Sequence, residues 1–229
     1  MSATTLSVSD AKALVRRNLD ELDPNGSIMY TDNNGSSSDY GDNSSLDNII
    51  ARYLPDAINQ VHEAAPASLL EGEEGSAAHI GIEGKVLSFD IAAAQKYLRL
   101  VAFQAKDSNI VITEPVAEAS PEGRKQQNQY IRGTKDRPRL VQMQGQKDGT
   151  TSFKYYTTDV DSSTTTQLGT IERLLIIKRQ EYGDAATEYS ISFRLRQNII
   201  DLLTARVLEA FNDQRAQNFI NKANNFTTI

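Results

Sequence analysis

The apolar residues of this 229-residue chain change their spacing twice, and that change limits the fold more than any single motif does. From Leu6 to Leu22, and again from Leu46 to about Ala65, they recur every three to four residues. From about His79 to Lys178 they alternate or come in short bursts, and from Leu195 to Phe211 they recur every four again. The first period places side chains on one face of a helix and the second places them on one face of a strand. The pattern therefore predicts an α+β fold, with two N-terminal helices, a central antiparallel β-rich insertion, and a long C-terminal helix packing back on the first two. Three regions follow: 1–76, N-terminal helices with an acidic loop at 23–45; 77–180, the β-rich part; and 181–229, the C-terminal helix and a docking tail.

Within the first region a helix is predicted over Val8 to Leu22. Ser7 stands where a cap would, with Asp10 three residues on and Leu6 placed as a hydrophobic staple. A second begins at Ser44 or Ser45 and carries Leu46, Ile49, Ile50, Tyr53, Leu54, Ala57, Ile58 and Val61 at helical spacing, with a kink expected at Pro55. Strands are predicted at Tyr97–Gln104, Ile110–Thr113, Leu140–Gln144, Ser152–Thr157 and Ile171–Lys178. A hairpin is expected about Glu83-Gly84, and Lys147-Asp148-Gly149 supplies another turn signal. The last helix, about Ser192 to Ala223, is apolar over more than half its circumference and so must bury two sides, in its own fold or against a neighbouring copy.

Composition removes several chemistries. Cysteine is absent and histidine occurs only at His62 and His79, so thiol catalysis, thiolate metal sites and multi-histidine sites are excluded within one chain. No glycine-rich phosphate-loop spacing occurs, no cofactor is implied, and no run of apolar residues is long enough to cross a membrane. Residues 1–76 hold 4 Lys/Arg against 13 Asp/Glu, and residues 77–229 hold 20 against 17. An acidic arm on a near-neutral body argues against general affinity for nucleic acid, which needs cations to neutralise phosphates. The residue content thus points to a non-enzymatic structural protein, made in a cytoplasm.

Four constellations invite a functional reading. Residues 124–139 concentrate Arg124, Lys125, Arg132, Lys135, Arg137 and Arg139, with Tyr130 among them, and read as a loop that meets an acidic partner surface or as solvated charge. Leu195, Ile199, Leu203, Val207 and Phe211, with Phe219, Ile220, Phe226 and Ile229 in the tail, are the candidate contact residues for other chains, some of the first five doubling as core. Glu21 to Asp32 falls on calcium-loop spacing, although Glu stands first, Asp stands twelfth and no exiting helix follows, so an ordinary Asp/Asn/Gly turn is the plainer reading. Glu114, Glu118 and Glu122 repeat every four residues, yet Pro115 and Pro121 interrupt any shared helical face. His62 is read as a surface or boundary residue.

Several stretches carry a resemblance: Leu46-Asp47-Asn48-Ile49-Ile50 through Pro55-Asp56-Ala57 to His62-Glu63-Ala64-Ala65-Pro66; Tyr97 through Phe103; Thr113-Glu114-Pro115; and Tyr130-Ile131-Arg132-Gly133 with Pro138. In these the chain resembles the head-to-tail connector (adaptor ring) proteins of tailed bacteriophages, of the crAss-like and related gut-prophage type, over about residues 6–160. The resemblance implies a helical connector core with a β-rich insertion, closed into a ring, usually a dodecamer, beneath the portal. It implies the chain itself, the portal protein and downstream neck or tail ring proteins as partners, with DNA only as passing cargo. The expected place is the head–tail neck of the virion. The alternatives are a tail-completion or head-decoration protein, or a nucleic-acid-binding module working through 124–139; an enzyme acting through the glutamates ranks below these.

Overall fold

The computed structural model describes residues 4–19, 43–83, 86–106, 108–128, 130–134, 136–144, 148–157, 171–183 and 185–226. The candidate calcium loop, Lys135 and Ile229 lie outside them. The chain divides into two compact units: Met1–Leu70 together with Gln180–Ile229, and Glu71–Arg179.

The first unit opens with a strand, β1 (Thr4–Ser7), paired antiparallel with β10 (Glu188–Ile191). Ser7 ends β1 and also caps α1 (Val8–Asn18), its hydroxyl accepting the Asp10 N–H at 3.0 Å. Helix α2 (Asn43–Ala64) runs through Pro55 without a break in its helical span and buries Leu46, Ile50, Leu54, Ala57, Ile58 and Val61. Asp47 ties the two helices together, accepting from Arg16 at 2.7 Å and facing Lys12 at 3.4 Å. The core of the unit is α4 (Arg196–Ala210), in which Ile199 to Ala205 are buried without interruption. Helices α1, α2 and α5 (Ala216–Ala223) pack around it. A helix apolar on nearly all sides is satisfied here inside its own unit.

The second unit holds two sheets. One has the order β2–β9–β5 (Glu73–Glu74, Ile171–Lys178, Tyr97–Ala105). The other has the order β3–β4–β8–β7–β6 (Ala78–Glu83, Val86–Ile91, Thr151–Tyr156, Arg139–Gln142, Val116–Ala117), antiparallel except for the β6–β7 pair. Alternate residues of β4, Leu87, Phe89 and Ile91, meet Leu100, Phe103, Leu174 and Ile176 of the other sheet in one core. Phe89 stacks on Phe103 and on Phe153, each at 5.2 Å, and Tyr97 meets Phe153 edge-on at 5.6 Å. Beyond these strands the unit contains the short helix α3 (Pro121–Lys125).

This architecture overturns the helical core with a β insertion. The chain begins with a strand, and its described residues form ten strands and five α-helices in a sheet-rich mixture. The single long C-terminal helix is also absent. It is two helices, because Asn212 adopts a left-handed φ of 55° after α4. There the Asp213 N–H returns to the Leu208 carbonyl and the Asn212 N–H to that of Glu209. These two bonds satisfy the last carbonyls of α4 and turn the chain away from its axis.

Candidate docking loop

The segment between the adjacent parallel strands β6 and β7 is built for a fixed shape. Ser120 caps α3, accepting the Gly123 N–H at 3.0 Å, and Pro121 takes the first helical position, where its missing N–H costs nothing. Gln126, only 3% exposed, then acts as a staple: its amide oxygen accepts the Gly133 N–H at 2.7 Å and its amide nitrogen donates to the Glu122 carbonyl at 3.1 Å. Two glycines allow the backbone to close this tightly. A Cβ at Gly123 would run into the Ala117 and Glu118 carbonyl oxygens, and one at Gly133 would stand 2.7 Å from the Tyr156 carbonyl oxygen. Asn128 organises the tip, accepting the Tyr130 N–H on its side chain and the Ile131 and Arg132 N–H groups on its carbonyl. Thr134 and Arg137 exchange both backbone bonds, and buried Pro138 leads into β7.

The result of this internal bonding is that Tyr130 stands 85% exposed and Ile131 58% exposed. A loop closed by backbone bonds and a buried amide that holds its two largest apolar side chains in water has the form of a docking element. Its ordering cost is met within the fold rather than on contact. Among its cations, Arg124, Lys125, Arg137 and Arg139 are exposed. Lys125 is already paired with Glu122 at 2.8 Å, and this pairing holds the Glu122 carboxyl below its ordinary range. Arg132 is half-buried and near Tyr156, where its charge offsets part of the burial that raises the Tyr156 phenol. Arg139 also acts on the Glu122 carboxyl, so two exposed cations, Arg124 and Arg137, remain without an intramolecular carboxylate among the described residues. That number suits an acidic rim around an apolar pocket, and one exposed aromatic is too few for a stacking track.

The other candidate residues fall elsewhere. Leu195, Ile199, Leu203 and Val207 are fully buried within their own unit, where their four-residue repeat packs the core. Phe211 is exposed, while Phe219, Ile220 and Phe226 are half-buried, with the Lys222 ammonium lying 4.6 Å above the Phe219 ring. Glu114, Glu118 and Glu122 do not converge: the first faces Arg99 at 3.6 Å, the second accepts the Gln144 N–H and the third holds Lys125. His62 is corrected most. It is 1% exposed, its Nε2 accepts the Ser192 N–H at 3.2 Å, and burial pushes its pKa down to about 4. The acceptor role at Nε2 requires the neutral ring with its proton on Nδ1.

Among the described residues no group of three or more acidic or histidine side chains is arranged to hold a metal, and no helix is long and apolar enough to cross a membrane. The chain matches no family model and no curated protein. The residues missed by spacing alone are Gln126, Gly123 and Gly133, which carry no charge and show their purpose only once the loop is closed.

Proposed function

We propose that this chain is a non-enzymatic structural protein that works by docking other polypeptides, and that its place is the head-to-tail adaptor of a tailed bacteriophage, between the portal and downstream neck or tail proteins. The observation that carries the docking half is the loop just described, which holds Tyr130 and Ile131 in solvent on a segment that also carries the exposed Arg124, Arg137 and Arg139. The resemblance in residues 46–66, 97–103 and 130–138 supports the choice of partners. A nucleic-acid-binding role draws on the same cations but is left with few of them once Lys125 and Arg132 are subtracted.

The test is binding to the portal protein encoded beside it, followed by native mass spectrometry and electron microscopy. The expected result is a closed ring or a portal-dependent assembly. The double substitution Tyr130→Ser with Ile131→Ser should weaken it by about 2 kcal/mol, or roughly 30-fold, as loss of an aromatic anchor does. Because both side chains are exposed, thermal stability should not change. A protein that stays solitary beside portal and neck proteins, or binds them equally after the double substitution, removes the reading. Salt-sensitive DNA binding lost on Arg137→Glu would favour the nucleic-acid module instead.

A further inference from the structure

The helical unit carries a second surface of a different kind. Leu14 of α1, Leu69 of the single 3₁₀ turn after α2, and Phe193 and Ile200 at the start of the C-terminal helices line a groove of about 480 Å³. This lies within the range of roughly 300–1,000 Å³ typical of sites that seat a small ligand. Its remaining lining is polar: Arg194, Arg196 and Gln197. Phe193 is 62% exposed and shares the groove lining with two guanidinium groups.

The groove's edge is held in place from below. Phe193 sits on a 3₁₀ turn, Phe193–Leu195, whose last residue is fully buried. The residue before it, Ser192, is also fully buried and gives its N–H to His62. The charges, by contrast, are not satisfied at home. Among the described residues no carboxylate pairs with Arg194, and Arg196 has only Asp10, at 4.0 Å.

From this we propose that the groove binds a segment of a partner protein in which a bulky apolar side chain is flanked by Asp or Glu. The apolar side chain covers Phe193, Leu14, Leu69 and Ile200, and the carboxylates take the two guanidiniums in charge-assisted, bidentate hydrogen bonds. Charge decides against the most obvious alternative within the molecule. The Tyr130–Ile131 loop of a second copy has the apolar tip but brings Arg124, Arg137 and Arg139 against Arg194 and Arg196. Like charges brought together in this way are repulsive. The inference does not rest on the virion reading, because it requires only the groove and its rim.

A random peptide library selected on the immobilised full-length protein, with fluorescence anisotropy on the best binders, tests it. The selected peptides should carry two or more carboxylates within a few positions of a Phe, Leu, Met or Trp. Their affinity should fall about tenfold or more in Arg194→Glu/Arg196→Glu and in Phe193→Ser. Where charge reversal lowers the melting temperature, Arg194→Gln/Arg196→Gln should give the same direction with a smaller loss. Binding must survive Tyr130→Ser/Arg137→Glu, since the loop could also attract acidic peptides. Selection without acidic enrichment, binding that resists the rim substitutions, or binding lost only with the loop overturns the proposal. Stoichiometric competition by a peptide spanning residues 20–42 of this chain would assign the groove to its own acidic segment and overturn the partner.

Discussion

The sheet unit, Glu71–Arg179, is one unbroken stretch of chain, whereas the helical unit joins Met1–Leu70 to Gln180–Ile229 across it. Their cores differ in kind as well. The sheet unit is centred on rings, with Phe89, Phe103, Phe153 and Tyr155 in contact between two sheets. The helical unit is aliphatic, its α4 buried from Ile199 to Ala205, and it admits polar groups into its core. Thr204 donates back to the Ile200 carbonyl and receives Asn18, and His62 receives Ser192. Where strands carry a core, shape complementarity of large rings suffices. Where helix ends and turns meet inside a core, their unpaired backbone groups need polar side chains.

The largest effect should come from the ring stack. Phe153→Ala removes a fully buried ring held by Phe89 and Tyr97, and should cost about 3–5 kcal/mol in urea unfolding. Hydrogen exchange should place the loss in β4, β5, β8 and β9. Equal loss of protection in α2 and α4 would break the comparison by showing a single cooperative core.

Next in size is a pH effect that belongs to the helical unit alone. The native His62 has a pKa of about 4 against 6.5 for an ordinary histidine. Between those values the unfolded chain binds a proton that the native chain refuses. This contribution is therefore whole above pH 6.5 and is lost as pH falls toward 4, by about 3 kcal/mol in all. Asp201 opposes it, since burial raises its carboxyl and protonation at low pH relieves that strain. Urea midpoints at pH 7 and pH 4.5 should separate more in the native protein than in His62→Gln, whose amide keeps an acceptor for Ser192. Identical pH dependence in the two proteins would leave His62 a packing residue only.

The smallest effect, about 1 kcal/mol, is expected for Ser7→Ala, which deletes the α1 cap at the point where β1 ends. Its thermal shift should be accompanied by faster exchange in β1 and β10, which would sharpen the view that this unit is closed by its first residues.

Much of the sheet unit could be read from residue order because its signals are local. Strand β9 occupies Ile171–Lys178, and β5 extends Tyr97–Gln104 by one residue. Ile110–Thr113 is no strand: Ile112 makes a single bridge to Phe103 before Pro115 interrupts the segment. The helical unit hid more. Strand β1 is four residues with no period of its own, and its partner lies near the other end of the chain. His62 follows Leu54 and Ile58 at steps of eight and four, on the same buried face, so its depth was present in the spacing and was masked by its polarity. The break at Asn212 was signalled only by residue type, since Asn tolerates the left-handed turn. For the candidate site, the cations and Tyr130 stood out by type, while Phe193 was absorbed into the expected start of a helix.

The order in which a ribosome delivers this protein gives the divided unit a temporal consequence. At about 5–20 residues per second, α4 leaves the ribosome on the order of ten seconds after α2. During that interval the sheet unit can finish folding, and the apolar side of α2, Leu46 to Val61, waits without the helix that later covers much of it. Slowed translation within residues 71–179, or a release that separates them from the last fifty, would leave a nascent species with a complete sheet and a sticky unfinished helix pair. That is the form in which chaperones and proteases would meet this protein.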